Sequence, residues 1–165
     1  MMQDDSKKKL FKKIEELSTI HISDSPESDG LTVLSAKLSE IVSKHSQATV
    51  LSNKVISILG QKKRAFDTLK TLYKIKLNRT LCENHLVKDG CSKDERISIA
   101  SMLLQDEQLK LQQQESEVGE WEDINACVDN CLHTIVLAKE AISKQQSNIL
   151  CQLKLGEINP NFGSR

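Results

Sequence analysis

A chain of 165 residues with a formal net charge of zero is long enough for one domain with a sizeable core. Aromatic residues make up only 3% of it and there are two prolines, Pro26 and Pro160, which argues against an all-β protein or an α/β enzyme of ordinary composition. Neither a secretory signal nor an apolar run long enough to span a bilayer is present, so we expect a cytoplasmic protein with no membrane partner.

The first helical pattern lies near the N terminus. Residues 7–20 carry large apolar residues at helical spacing beside five lysines, and residues 21–30 then combine Ser, Asp, Pro and Gly, as linkers do. We therefore expect residues 1–30 to form a basic amphipathic arm, either docked on a partner or partly disordered, followed by a linker. The apolar residues of the arm are Leu10, Phe11, Ile14 and Leu17.

From residue 31 onward, apolar residues recur at steps of three or four, which is typical of a helix that packs lengthwise on another helix. Gly60 lies within this pattern and suggests a bend or a close packing point. The pattern breaks near residue 84. Gly90 is placed to end a helix, and Ser92 with Glu95 forms a capping box that begins the next one, so the chain is expected to turn there.

A second helical run is predicted from Lys93 to about Leu153. Together the elements predict an all-α protein, in which residues 31–156 form a long antiparallel, coiled-coil-like hairpin and residues 157–165 an irregular tail. Two such helices cannot bury every side of their apolar stripes alone, so we expect a homo-oligomer. The residues expected at its interface are Trp121, Ile124, Val128, Ile135, Ile142 and Ile149.

The zero net charge conceals a division, because residues 1–82 have a net charge of +6 and the rest of the chain has −6. Within the first part, residues 54–79 hold eight lysines and arginines against Asp67 alone. Such a face can neutralise nucleic-acid phosphates, lie on an anionic membrane or meet an acidic helix. Residues 104–129, with a net charge of −7, could supply that helix within the hairpin or between subunits, so charge alone leaves these alternatives open.

The cysteines and histidines show no pattern typical of a catalytic or metal site. They lack the paired Cys-x-x-Cys spacing of zinc sites, and the odd number of cysteines favours free thiols, mostly small buried groups in a helical seam. No glycine-rich phosphate loop is present either. We therefore expect neither an enzyme, a metal nor a cofactor. The residues considered were Cys82, His85, Cys91, Cys127, Cys131 and His133.

Several short segments together resemble one known family. They are Lys44-His45-Ser46, Gln61-Lys62-Lys63 with Tyr73 twelve residues after the glutamine, LLQDEQLKL from Leu103, and TIVLAKEAISKQQSNI from Thr134. In this order, separated by a polar turn, they resemble the UvsY family of recombination mediators of T-even-like phages. The similarity covers roughly residues 34–156.

The resemblance implies a helical, ring-forming homo-oligomer that binds single-stranded DNA and helps to load a recombinase onto DNA covered by single-strand binding protein, in the host cytoplasm if the protein is phage-encoded. Where the family has a basic pair, this chain has Asp67 and Leu69, so neighbouring cations are expected to take its place. The predicted DNA-binding residues are Lys62, Lys63, Arg64, Lys70, Tyr73, Lys74, Lys76 and Arg79, with Tyr73 for base stacking. The alternative is a structural coiled-coil protein of a larger assembly, such as a secretion-type stalk or tether, without a nucleic-acid role.

Overall fold

The computed structural model describes residues 2–22, 30–90 and 92–155, and in these ranges the chain forms five α-helices and no β-strand. The all-α prediction is therefore confirmed. Two helices of 53 and 51 residues account for most of the chain. The predicted tail at residues 157–165 and most of the predicted linker lie outside the described residues. The helices are α1 (Met2–Ser18), α2 (Leu31–Glu83), α3 (His85–Lys88), α4 (Lys93–Leu103) and α5 (Gln105–Leu155).

The absence of proline between Pro26 and Pro160 allows α2 and α5 to reach this length. Helix α2 begins directly after Gly30, whose carbonyl oxygen accepts hydrogen bonds from the amides of Val33 and Leu34 at 2.9 and 3.2 Å. It ends at Glu83. The next residue, Asn84, caps the short helix α3 by accepting a hydrogen bond from the Leu86 amide at 3.0 Å.

The turn between the long helices follows the predicted capping residues. The Ser92 hydroxyl accepts a hydrogen bond from the Glu95 amide at 3.1 Å, as expected of the N-cap of α4. Gly90 follows the C-cap of α3, and its carbonyl accepts a hydrogen bond from Arg96 Nε at 2.9 Å. This bond ties the end of α3 to the first turn of α4.

The predicted single helix from Lys93 onward is wrong in one respect, because it is interrupted at Leu104. The backbone of Leu104 has φ −109° and ψ 22°, and this residue caps α4 while the Leu104 side chain is buried. Its carbonyl then accepts a hydrogen bond from Gln108, so a new helix starts at once. The apolar period continues across the break, which is why the sequence pattern alone shows one helix.

The described chain divides into two compact units. Unit 1 comprises Met1–Lys54 and Ile124–Arg165, and unit 2 comprises Val55–Asp123. Each long helix therefore contributes one part to each unit. The predicted N-terminal arm belongs to unit 1, together with the first part of α2 and the second part of α5.

Unit 1 has a core of aliphatic side chains from all three of its helices. Ile14 and Leu17 of α1 are buried, and the buried thiol of Cys131 on α5 donates a hydrogen bond to the Ile14 carbonyl at 3.8 Å. Lys44 of α2 adds a hydrogen bond to the Thr19 carbonyl at 2.6 Å. Burying each large aliphatic side chain stabilises the fold by roughly 1.5–3 kcal/mol. Helix α1 is therefore packed on the chain's own hairpin.

Unit 2 contains the turn and the basic part of α2. Its buried side chains come from four helices, and most of them are small. An antiparallel arrangement of α2 and α5 in this unit follows from two ion pairs, since Lys62 meets Glu117 and the later residue Lys76 meets the earlier residue Glu107. The buried apolar residues in this unit are Val55, Val87, Ala100, Leu104 and Val118.

Candidate nucleic-acid interface

All eight predicted DNA-binding residues lie on α2 within unit 2, but four of them already have acidic partners. The most covered is Lys62, whose Nζ donates a hydrogen bond to Glu117 Oε1 at 2.8 Å. The second oxygen of this carboxylate, Oε2, accepts a hydrogen bond from Gln114 at 3.2 Å. With side chains only 26% and 21% exposed, Lys62 and Glu117 form part of the contact between α2 and α5.

The other three pairs are more exposed. Lys63 meets Glu122 at 2.6 Å and Lys76 meets Glu107 at 2.8 Å, both across the hairpin, and each lysine side chain is about half exposed. Exposed ion pairs of this kind contribute little to stability, because water and salt screen the attraction between the charges. A phosphate could therefore replace either carboxylate at little cost to the fold. The remaining pair joins Arg79 to Glu83 at 2.7 Å within α2.

Two of these pairs change the acidity of their members. The side-chain hydrogen bond from Lys76 is the largest cause that holds the pKa of Glu107 below its ordinary value. In the same way, the hydrogen bond to Glu83 and the attraction between the two charges raise the pKa of Arg79. Both effects favour the charged forms.

Arg64, Lys70 and Lys74 are exposed and have no carboxylate within 4.0 Å in the described part of the chain. The ammonium group of Lys70 lies 5.5 Å from the centre of the Phe66 ring, a cation–π distance. At 3.6 residues per turn, Lys63, Lys70 and Lys74 lie within about 40° of one another around α2, spaced about 10 and 6 Å along its axis. We call these three residues the α2 flank.

Arg64 lies farther round the helix, about 100° from Lys63, and adds a cation there. Asp67, the one acid of this segment, lies about 20° from Lys74 around the axis and between Lys63 and Lys70 along it, so it stands within the α2 flank. Unit 2 as a whole has a net charge of −1 by sequence, because its acidic residues outnumber its basic ones by one. Any attraction for a polyanion is therefore local to these exposed cations.

Tyr73 is half-buried in a groove of unit 2 instead of projecting from α2. The groove has a volume of about 180 Å³ and contains the Lys76–Glu107 pair. A ring in this position presents only part of its surface to a base, so it suits edge contact better than full stacking. The other lining residues are Leu69, Leu72 and Lys110.

The residues predicted at the oligomer interface are mostly used within the chain. Val128 and Ile135 are fully buried, and Ile124, Ile142 and Ile149 are almost so. These five residues lie in unit 1, where they pack in its core, whereas the half-buried Trp121 lies in unit 2. An interface between copies would therefore need other apolar groups. The self-association of the protein stays a prediction.

The acidic partners Glu107, Glu117 and Glu122 were missed as specific site residues. The sequence shows the excess of negative charge in residues 104–129, but it does not show which lysine each of these glutamates meets. The antiparallel register assigns the partners, because later residues of α2 face earlier residues of α5. A shift of one helical turn in this register would change the carboxylate that each lysine meets. The short helices α3 and α4 in the turn make the register difficult to read from the sequence.

The described cysteines Cys82, Cys127, Cys131 and Cys151 are free thiols, while Cys91 lies outside the described residues. Within residues 2–22, 30–90 and 92–155, no three His, Cys, Asp or Glu side chains come together in a way that would hold a metal ion. None of the described helices has the length and apolarity required to cross a membrane.

Comparison with protein-family models, with curated proteins and with solved structures found no match to this chain.

Proposed function

We propose that this protein is a non-enzymatic, helical DNA-binding protein that holds single-stranded DNA along the α2 flank and Arg64. The observation that carries the proposal is the group of exposed cations Arg64, Lys70 and Lys74, for which the described residues provide no acidic partner. Lys63 joins them once a phosphate displaces Glu122 from an exposed pair.

The spacing of the α2 flank suits a strand of phosphates. Cations about 6 and 10 Å apart along one side of a helix can each meet a phosphate of an extended strand. Because three or four contacts are involved, the logarithm of the affinity should fall with the logarithm of salt concentration with a slope of about −2 to −3. An interface that used all seven predicted cations would show a steeper slope, so the measured slope distinguishes the two.

The test is fluorescence anisotropy with a labelled oligo-thymidylate at low salt. We expect the wild-type protein to bind and the double variant Lys70→Glu with Lys74→Glu to lose at least tenfold in affinity. The matched control is Lys88→Glu with Lys93→Glu, which makes the same charge change at exposed sites of the same unit. No binding by the wild type, or an equal loss in the control, would rule the interface out.

The recombination role is the finer part of the proposal and rests on the resemblance to the UvsY family. In that role the protein, as a homo-oligomer in the cytoplasm, would help a recombinase to displace single-strand binding protein. Its test is recombinase filament formation on covered DNA, with and without this protein. A protein that binds DNA but does not shorten the lag in filament formation would contradict the mediator role alone.

A second candidate is a structural hairpin protein with no nucleic-acid role. It is favoured by the three cross-helix pairs Lys62–Glu117, Lys63–Glu122 and Lys76–Glu107, in which the basic helix meets an acidic one. Reversing the charges of Lys62, Lys63 and Arg64 should then disturb assembly, measured by light scattering. Adding Glu117→Lys and Glu122→Lys to that variant should restore assembly, because both cross-helix pairs then re-form with exchanged charges, while oligo-thymidylate binds none of these proteins.

A further inference from the structure

A second cationic surface lies in unit 1, between α1 and α2, and is separate from the residues discussed above. It is an open groove of about 440 Å³. Helix α1 and helix α2 line it with the same spacing, positions i, i+3, i+4 and i+7, so each presents one face over two turns. The lining residues are Ser6, Lys9, Leu10 and Lys13 of α1 and Gln47, Val50, Leu51 and Lys54 of α2.

The floor of this groove is aliphatic and its edges are basic. Leu51 is buried, Leu10 is half-buried and Val50 is 67% exposed, an unusual exposure for a valine that faces a groove between two packed helices. None of the eight described lining residues is acidic, and three of them are lysines. One of these, Lys9, lies 3.8 Å from Asp5 of α1 in a pair that is highly exposed on both sides.

We propose that this groove binds an acidic amphipathic helix of a protein partner. Such a helix would lay its apolar stripe on Leu10, Val50 and Leu51 and direct carboxylates toward Lys9, Lys13 and Lys54. The equal two-turn spacing on both walls is the arrangement that a third helix needs in order to pack lengthwise on two others. The proposal does not depend on DNA binding by the α2 flank.

The chemistry of the floor decides between this occupant and others. A single nucleic-acid strand gains most of its non-ionic affinity from bases stacked on aromatic rings, and none of the described lining residues is aromatic. An anionic membrane takes up apolar groups that project outward, and among the three apolar residues described in the lining only Val50 does so, since Leu51 is 6% exposed and Leu10 is half-buried. An aliphatic floor with lysine edges complements an acidic helix instead.

The experiment uses the full chain and a labelled synthetic peptide helix with leucine at i, i+3, i+4 and i+7 and glutamate elsewhere. A second peptide has lysine in place of every glutamate. Fluorescence anisotropy should show binding of the acidic peptide and at least tenfold weaker binding of the basic one. Raising the salt concentration should weaken the interaction without removing its apolar part.

Two pairs of variants locate the site. Val50→Glu should reduce affinity for the acidic peptide at least tenfold, whereas Val42→Glu, at another exposed valine of α2 in the same unit, should leave it within twofold. Likewise, Lys13→Glu should weaken binding and Lys12→Glu, at an exposed lysine of α1 outside the groove, should have a smaller effect. Thermal unfolding followed by circular dichroism verifies that each variant is folded.

Several results would overturn the proposal. It fails if the acidic peptide does not bind, if both peptides bind equally, or if Val42→Glu matches Val50→Glu. It also fails if Lys13→Glu and Val50→Glu abolish binding of oligo-thymidylate or of anionic vesicles and leave the peptide unaffected. A change in molecular mass by light scattering for Val50→Glu, without a change in peptide affinity, would make the groove an interface between copies of this chain.

Discussion

Lys62 of α2 and Glu117 of α5 meet at 2.8 Å with most of each side chain shielded from solvent. A partly shielded pair is screened less by salt than an exposed one. If one member of the pair is replaced, the other remains as an unpaired charge in a site that is partly shielded from water. We therefore expect this ion pair to contribute to the stability of unit 2.

Replacing either member of this pair should destabilise unit 2. For Lys62→Ala or Glu117→Ala we expect a loss of roughly 1–2 kcal/mol in the free energy of unfolding, measured by urea titration. The double variant Lys62→Met with Glu117→Leu should recover most of that loss, because no charge is left without a partner. The matched control, Arg79→Ala in the exposed pair with Glu83, should lower the free energy of unfolding much less than either single replacement in the shielded pair.

The pH dependence of the Lys76–Glu107 pair has a definite sign. Because Lys76 depresses the pKa of Glu107 in the folded protein, the stabilising effect is complete above the ordinary pKa of a glutamate and is lost as pH falls through the depressed value. In Lys76→Gln, the pKa of Glu107 should rise toward its ordinary value. Carbon-13 NMR titration of the Glu107 carboxyl measures it, and an unchanged pKa in the variant would contradict the pairing.

Gly60 and Gly119 lie inside the long helices with room for a side chain. An added Cβ at Gly119 meets nothing within 4 Å, and one at Gly60 meets only the end of the flexible Arg64 side chain, at 4.0 Å. We therefore expect Gly60→Ala and Gly119→Ala each to raise stability by about 0.5–1 kcal/mol, since alanine favours the helix. Thermal unfolding measures the gain. A loss of stability at Gly60 would support the bend predicted from the sequence.

Gly90 should behave in the opposite way. An added Cβ would lie 2.9 Å from Arg96 Cγ and 3.3 Å from the Val87 carbonyl oxygen. Arg96 would have to move, and its hydrogen bond to the Gly90 carbonyl would weaken. Gly90→Ala should therefore cost about 1 kcal/mol or more. If Gly90→Ala is as stable as Gly60→Ala, the turn between α3 and α4 is looser than its contacts indicate.

The burial of the apolar stripe of α5 in the core can also be tested. Ile135 is fully buried in unit 1, so Ile135→Ala should cost roughly 2–4 kcal/mol in unfolding free energy, independent of protein concentration. Leu137→Ala, at an exposed leucine two residues away, should change stability by less than about 0.5 kcal/mol. If the effect of Ile135→Ala instead depends on concentration, Ile135 contributes to an interface between copies.

The helical content, the position of the turn and its capping residues follow from local rules. Proline-free apolar periodicity extends a helix wherever it occurs, and the Ser92 hydroxyl needs only the amide three residues later. The break at Leu104 could not be predicted in this way, because the apolar period continues through it while the backbone departs from helical geometry. For the candidate interface, the sequence indicated which residues are basic but not which would meet a carboxylate.

What the sequence determined by itself is the list of charges and the 3.6-residue period, because both are properties of residues close in the chain. Which partner each charge meets, and which apolar groups are buried, depend instead on contacts between residues distant in the chain. Lys62 faces Glu117, 55 positions away, because the antiparallel register brings these two residues together. Likewise, Cys131 is buried against α1, where its thiol donates a hydrogen bond to the Ile14 carbonyl, a contact between residues distant in sequence.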